Sequence, residues 1–269
     1  MMDFSEFFRT AAGKAPFPYQ RTFAESCNLP QILRAPTGSG KTATIILGWL
    51  WRRLFAGDEI KGRTPRRLAY CLPMRVLVEQ TYNAACQWRR NLGLVGSVGL
   101  EMIVGGAAAG EWDLHPEKPT VLIGTQDMLL SRALNRGYGM SRYRWPMHFG
   151  LNNCDTLWAF DEVQLMGNGL ATSAQLHAFR ESFGAISGCD SIWMSATLEE
   201  KWLDTIDFKV AARNVEAEGI TQADRKHRGL KARLEAPKTL QLCPGAASDP
   251  SAVAHSILSQ HLPESLTLV

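Results

Sequence analysis

Two stretches of the chain carry side chains suited to one chemistry. In "LWAFDEVQLMG", residues 157–167, the apolar run Leu157, Trp158, Ala159 and Phe160 ends on two adjacent carboxylates, Asp161 and Glu162. Such a run reads as a buried strand, where charge is costly unless a partner offsets it. A bound cation would do so, with Asp161 near the metal and Glu162 free to handle a water. Upstream, "APTGSGKT" at residues 35–42 fits the phosphate-loop pattern G-x-x-x-x-G-K-[ST], with Ala35 at the first glycine position. Pro36, Thr37, Gly38, Ser39 and Gly40 form a loop whose backbone N–H groups can wrap phosphate oxygens at a helix N-terminus. Lys41 would reach the β- and γ-phosphates, and Thr42 would place its hydroxyl on Mg²⁺. Together the two stretches predict hydrolysis of ATP: Thr42 and Asp161 hold Mg²⁺, and Glu162 orients or deprotonates the water that attacks the γ-phosphate. A third piece, "SAT", sets the hydroxyls of Ser195 and Thr197 at the end of a later strand.

These residues need a scaffold, and the surrounding pattern supplies one. Short β-like runs recur at residues 31–35, 67–72, 99–104, 120–124, 156–160 and 191–195. Helix-like stretches intervene at 42–54, 76–90, 127–135 and 170–183. Strands buried on both faces and alternating with helices predict a mostly parallel sheet in an α/β fold with helices on both faces. The 45% hydrophobic and 20% charged content is that of a globular chain able to bury a core. Net charge is +3, which permits an anionic partner without demanding one. The six cysteines are scattered without a C-x-x-C pair, which excludes a zinc site or a disulfide framework of recognisable spacing and suits a reducing cytoplasm. The most apolar run, "TIILGWLW", meets Arg52 and Arg53 well short of membrane-spanning length.

After about Leu203 the character changes. The stretch "RNVEAEGITQADRKHRGLKARLE" is charged, lacks apolar periodicity and reads as a connector. "KTLQLC", "SAVAHSILSQHL" and "SLTLV" then read as strand, helix and strand. A βαβ-like fragment of that size cannot cover its own apolar faces, so it is expected to open a second domain that the chain only begins. The expected division is an N-terminal segment at 1–15, an ATP-binding domain at 16–205, a linker at 206–236, and the incomplete second domain at 237–269.

Taken in chain order, A-x-x-G-x-G-K-T, D-E-x-x and S-A-T resemble the first RecA-like domain of a superfamily 2 helicase, where alanine at the first phosphate-loop position is usual. The resemblance spans roughly residues 17–203. It implies a P-loop RecA-like fold followed by the truncated start of a second RecA-like domain. "FPYQ" at 17–20 resembles the family's adenine-reading segment, which would set Gln20 at the base edge. "LPMRVLVEQ" resembles a strand-contacting motif that includes Arg75, with Met74 in place of the usual threonine. "VGG", with Gly105 and Gly106, and "GTQDMLL", with Thr125 and Gln126, resemble two further motifs that grip phosphates of single-stranded nucleic acid. By the same resemblance Gln164, Ser195 and Thr197 couple the nucleotide site to the rest of the motor.

"GTQD" with "FDEVQLMG" is most similar to the helicase portion of the CRISPR-associated helicase-nuclease of type I interference. The present chain carries Gln164 where histidine is frequent, and glutamine can bond across a cleft without becoming cationic. The implied partners are single-stranded DNA, with RNA as the alternative, a second RecA-like domain, a nuclease module in the same or another chain, and a CRISPR surveillance complex, with no membrane. Between "GTQD" and the acidic pair, "SRALNRGYGMSRYRWPMHF" interleaves Arg142 and Arg144 with Tyr138, Tyr143 and Trp145, as a single-strand groove requires. The bland alternative packs the aromatics under a loop and leaves the arginines solvated. Neither a His-Asp nuclease dipeptide nor the motif that supplies an arginine finger is visible. The resulting expectation is an ATP-dependent helicase or translocase motor domain, weakly active by itself. Its rivals are a nucleotide-dependent clamp or sensor and another superfamily 2 motor, either a restriction-type translocase or an RNA helicase.

Overall fold

The computed structural model describes residues 2–106, 110–213, 215, 217–235 and 249–261. The chain divides into two compact units, Met1–Leu234 and Glu235–Val269. In the first, seven strands form one sheet: β1 (Ile32–Arg34), β2 (Arg67–Leu72), β3 (Gly99–Ile103), β4 (Thr120–Thr125), β5 (Thr156–Phe160), β6 (Ser191–Ser195) and β7 (Ala217–Gly219). Their order is β3-β4-β2-β5-β6-β1-β7, and every pairing is parallel. The α/β architecture is therefore as expected. All loops leaving the carboxyl ends of the strands lie along one edge, where ligands of open parallel sheets gather.

Helices cover both faces. In chain order they are α1 (Phe4–Ala12), α2 (Pro18–Glu25), α3 (Lys41–Leu54), α4 (Asp58–Arg63), α5 (Arg75–Asn91), α6 (Gln126–Ala133), α7 (Trp145–Asn153), α8 (Asn168–Phe183), α9 (Gln222–Arg225) and α10 (Arg228–Leu234). The alternation of strand side chains sorts the core. Leu68, Tyr70 and Leu72 join a cluster with α1, α3 and α5, whereas Ala69 and Cys71 join one with α6 and α8. Burial on both faces is why β2, β5 and β6 read as unbroken apolar runs.

Two stretches are more ordered than the sequence suggests. Residues 1–15, expected as a leading segment, hold α1, capped by Asp3 and closed by Gly13 at φ 70°. Its Phe4, Phe7, Phe8 and Ala11 follow helical spacing and are buried on the sheet side. Much of the expected linker at 206–236 belongs to the first unit. β7 adds to the sheet edge beside β1, and Leu230 of α10 packs on Phe17 and Tyr19. In the second unit, α11 (Pro250–Gln260) forms with Asp249 as its N-cap, at the helix expected from "SAVAHSILSQHL". The strands expected at "KTLQLC" and "SLTLV" lie outside the described residues. No helix among the described residues is long and apolar enough to cross a membrane.

Candidate functional site

The phosphate-loop residues join β1 to α3. Gly38 and Gly40 take φ 81° and 94°, values that a side chain strains to adopt, so backbone N–H groups can turn inward at the helix start. Gly40 has a second reason: a Cβ there would lie 2.9 Å from Gln20 Nε2. Ser39 is buried, and its hydroxyl donates to Pro36 O at 2.6 Å. Tyr19 braces the loop from α2 by donating its hydroxyl to Ser39 O at 2.9 Å.

Lys41 enters the same cleft as the acidic pair. Its Nζ donates to Ala35 O at 3.2 Å and pairs with Glu162 Oε1 at 3.2 Å. Asp161 directly follows β5 and is almost fully buried, and burial pushes its carboxyl up from the ordinary range, against the lowering pull of Tyr70 and Lys41. Glu162 stands in the left-handed region at φ 51°, a strained setting for a residue with a side chain. Its backbone N–H donates to Asp161 Oδ1 at 2.9 Å. From Glu162 a chain of bonds runs outward. Gln164 Nε2 donates to Glu162 Oε2 at 2.6 Å, Ser195 Oγ donates to Gln164 Oε1 at 2.8 Å, and Thr197 N donates to Ser195 Oγ at 3.0 Å. Three loops separated in sequence are thus joined from Lys41 to Thr197.

The cleft at this site has a volume of about 380 Å³ and is lined by Thr37, Lys41, Thr42, Asp161, Glu162 and, along α5, Trp88. A larger one, about 730 Å³, opens at the amino ends of the strands beside Gln31, Arg66 and Asp155. The smaller one holds the acidic pair and the glycine loop at the carboxyl ends, which makes it the candidate site.

Gln20, expected at the edge of a bound base, makes its bonds within the chain. It is 2% exposed and turned toward the protein. Its Oε1 accepts from Phe17 N at 2.8 Å, and its Nε2 donates to Gly40 O at 3.2 Å and Thr44 Oγ1 at 3.1 Å. Both donors of the amide are engaged, so the side chain ties α2 to the phosphate loop.

Of the residues expected to contact a strand, Arg75, Gly105, Gly106, Thr125 and Gln126 lie at the carboxyl ends of β2, β3 and β4, and Arg142 and Arg144 lie between α6 and α7. Arg75, at the start of α5, is exposed; it pairs with Glu79 at 2.8 Å and reaches Gly105 O at 3.4 Å. Gly106 takes φ 78° after β3. Thr125 occupies the N-cap position of α6 without a side-chain capping bond, whereas the side-chain oxygen of Gln126 is enclosed against Gly169 with no bonding partner among the described residues. Arg142 is exposed and stacks over Trp145, 5.9 Å from the ring centre; Tyr143 beside it is 96% exposed.

Arg144, expected in a strand groove, is tied to a carboxylate of its own chain. Its Nε donates to Asp113 Oδ2 at 2.9 Å, its Nη2 pairs with Asp113 Oδ1, and Nη2 also donates to Gly110 O at 3.1 Å. His148 Nε2 meets the same carboxylate at 2.9 Å. Burial alone would raise the Asp113 carboxyl; hydrogen bonds from Arg144 and His148 outweigh it and hold the group below its ordinary range. A buried carboxylate needs a cation more than a solvated strand needs one arginine. Arg144→Ala should therefore destabilise the fold by about 3 kcal/mol in urea unfolding, the low end for breaking such a pair. Arg142→Ala should stay within about 0.5 kcal/mol of the parent. Equal stability of both variants would return Arg144 to the surface.

The sequence reading did not single out Tyr19, Thr44, Tyr70 or Asp113. A phenol inside an apolar strand, as in "RLAYCL", is the available signal, because a buried tyrosine hydroxyl requires a partner.

None of the curated proteins matches this chain by sequence. Solved structures share the fold. The DUF1998 helicase MrfA bound to DNA and AMPPNP is 17% identical, with TM-score 0.53 over 74% of this chain and 27% of its own. The DEAD-box helicase Mss116 bound to ssRNA and UDP-BeF is 15% identical, with TM-score 0.53 over 81% of this chain and 44% of its own. This chain thus spans less than half the length of either helicase. The DEAD/DEAH box helicase family model matches residues 18–206, most of the chain. With a glycine loop, an Asp-Glu pair and a Ser-x-Thr turn joined at one sheet edge, the chain belongs to the DEAD/DEAH box helicase family.

Proposed function

We propose that this chain is the ATP-binding half of a motor that moves on single-stranded DNA, of the kind found in CRISPR type I interference. The observation that carries the reading is the bonded chain from Lys41 through Glu162 and Gln164 to Ser195. It ties the group that would sense the γ-phosphate to the loop after β6, so a change at the phosphate has a path into the sheet edge. Glu162 would hold the attacking water, and Lys41 would hold the β- and γ-phosphates.

Mg²⁺ suits the donor set. Among the described residues no group of three or more His, Cys, Asp or Glu gathers to hold a metal. A single carboxylate and a hydroxyl, Asp161 and Thr42, leave the remaining positions to phosphate oxygens and water, which is how Mg²⁺ prefers to bind. Its buried, raised carboxyl also gives Asp161 a reason to accept a cation. When bound, Mg²⁺ would neutralise charge developing on the phosphates.

The DNA and CRISPR assignments are supported by "GTQD" and "FDEVQLMG", and the strand path by exposed Arg75 after β2 and exposed Arg142 and Tyr143 between α6 and α7. A second RecA-like domain would complete hydrolysis, because an arginine finger contributes about 10³ to 10⁵ in turnover. The test measures phosphate release with single-stranded DNA, single-stranded RNA or neither, on this chain alone and with a second RecA-like domain supplied. Turnover should be slight alone and should rise at least about tenfold with DNA once both domains are present. A preference for RNA would make it an RNA helicase. ATP binding without any strand stimulation would make it a clamp or sensor.

A further inference from the structure

We infer that Tyr70 is a positioning residue of the nucleotide site: one phenol that orients both oxygen ligands of the cation. The inference rests on the ATP·Mg²⁺ reading above. Tyr70 lies in β2, outside the glycine loop and the acidic pair, and it is fully buried. Its hydroxyl donates to Asp161 Oδ2 at 2.6 Å, while its oxygen stands 3.4 Å from Thr42 Oγ1. A phenol keeps its proton at neutral pH, so the hydroxyl donates to the carboxylate.

The chemistry follows from that placement. A phenol has one proton to give and lone pairs to receive. The proton goes to Asp161 Oδ2, and Asp161 Oδ1 accepts the Glu162 N–H at 2.9 Å, so each carboxylate oxygen is fixed by one bond and keeps a lone pair for a cation. A hydroxyl that ligates a cation must turn its own proton away, and the Tyr70 oxygen, 3.4 Å from Thr42 Oγ1 and with its one proton directed at Asp161, has a lone pair to receive it. Tyr70 thus presents the lone pairs of two ligands from two different loops. Partners that orient metal ligands in this way typically contribute about 10- to 100-fold in metal affinity.

A purely structural phenol would give a different result. Tyr70→Phe keeps the ring and removes only the hydroxyl. Titrating Mg²⁺ into the protein with a fluorescent ATP analogue should show its midpoint raised at least about tenfold. Binding of the same analogue in EDTA should change less than about twofold. Combined with Thr42→Val, the loss should be less than the product of the two single losses, because both act through one cation. The parent protein labelled at tyrosine Cζ gives a reading that needs no variant at position 70. The Tyr70 signal should move when Mg²⁺ joins the nucleotide complex, and an unmoved signal overturns the inference. An unchanged Mg²⁺ midpoint in Tyr70→Phe, or equal losses with and without metal, also overturns it. Failure of the parent to bind the analogue at all overturns the nucleotide site itself, a separate result.

Discussion

Lys41→Ala is expected to weaken ATP·Mg²⁺ binding about 10- to 100-fold while leaving the fold intact, as read by calorimetry and thermal unfolding. The magnitude follows from losing one charge-assisted interaction with the phosphates, worth about 1.5–3 kcal/mol. The fold should survive because α3 is held elsewhere. Its Ile45, Ile46 and Trp49 are buried in the main core, and Trp49 Nε1 donates to Pro65 O at 2.9 Å. Removing Lys41 also leaves Glu162 bonded to Gln164 at 2.6 Å, so the link toward Ser195 remains. A variant that binds ATP as tightly as the parent would show that the glycine loop does not hold phosphate.

The second large effect separates the two carboxylates. Glu162→Gln should keep nucleotide and metal affinity within about threefold and lower strand-stimulated turnover at least about 10²-fold, the usual contribution of a positioned base. Asp161→Asn should instead raise the Mg²⁺ midpoint for nucleotide binding. The structure gives these neighbours different settings. Asp161 is enclosed, with Tyr70 on one oxygen and the Glu162 N–H on the other. Glu162 projects into the cleft from a strained backbone and faces Lys41 on one side and Gln164 on the other. Equal loss of binding and turnover in both variants, with metal and turnover titrated separately, would remove this division of labour.

Several features of the fold were legible because their causes are local. The strands β2, β5 and β6 are continuous apolar runs, since both faces are covered, and the glycine loop announces a strand-to-helix turn through Gly38 and Gly40. Other elements had no such signal. β7 is Ala-Glu-Gly, poor in strand-forming residues, and exists because β1 offers an unpaired edge. α7 begins on Trp145 and Pro146 within a stretch that reads as a basic-aromatic loop. α1 differs from both, because Phe4, Phe7 and Phe8 carry helical spacing between Asp3 and Gly13, and the fold adds only their partners, Trp51 for Phe4 and Phe55 for Phe7.

The same division runs through the site. Contiguous residues determined by themselves that a glycine loop at a strand-to-helix turn and a strand-end acidic pair are present, because each is written within a few positions. Which polar side chains are free for ligand was decided by tertiary structure alone. Arg142 and Arg144 are alike in sequence, yet Arg144 belongs to Asp113, 31 positions away, and Arg142 lies open on Trp145. Gln20 reads as a base-edge residue, and only the fold shows its amide donating to Gly40 and Thr44. Tyr70 reads as one more strand residue until Asp161 arrives from a strand 91 positions on. The reason is physical: burial makes an unpaired polar group costly, and only the folded chain shows which distant group pairs with it.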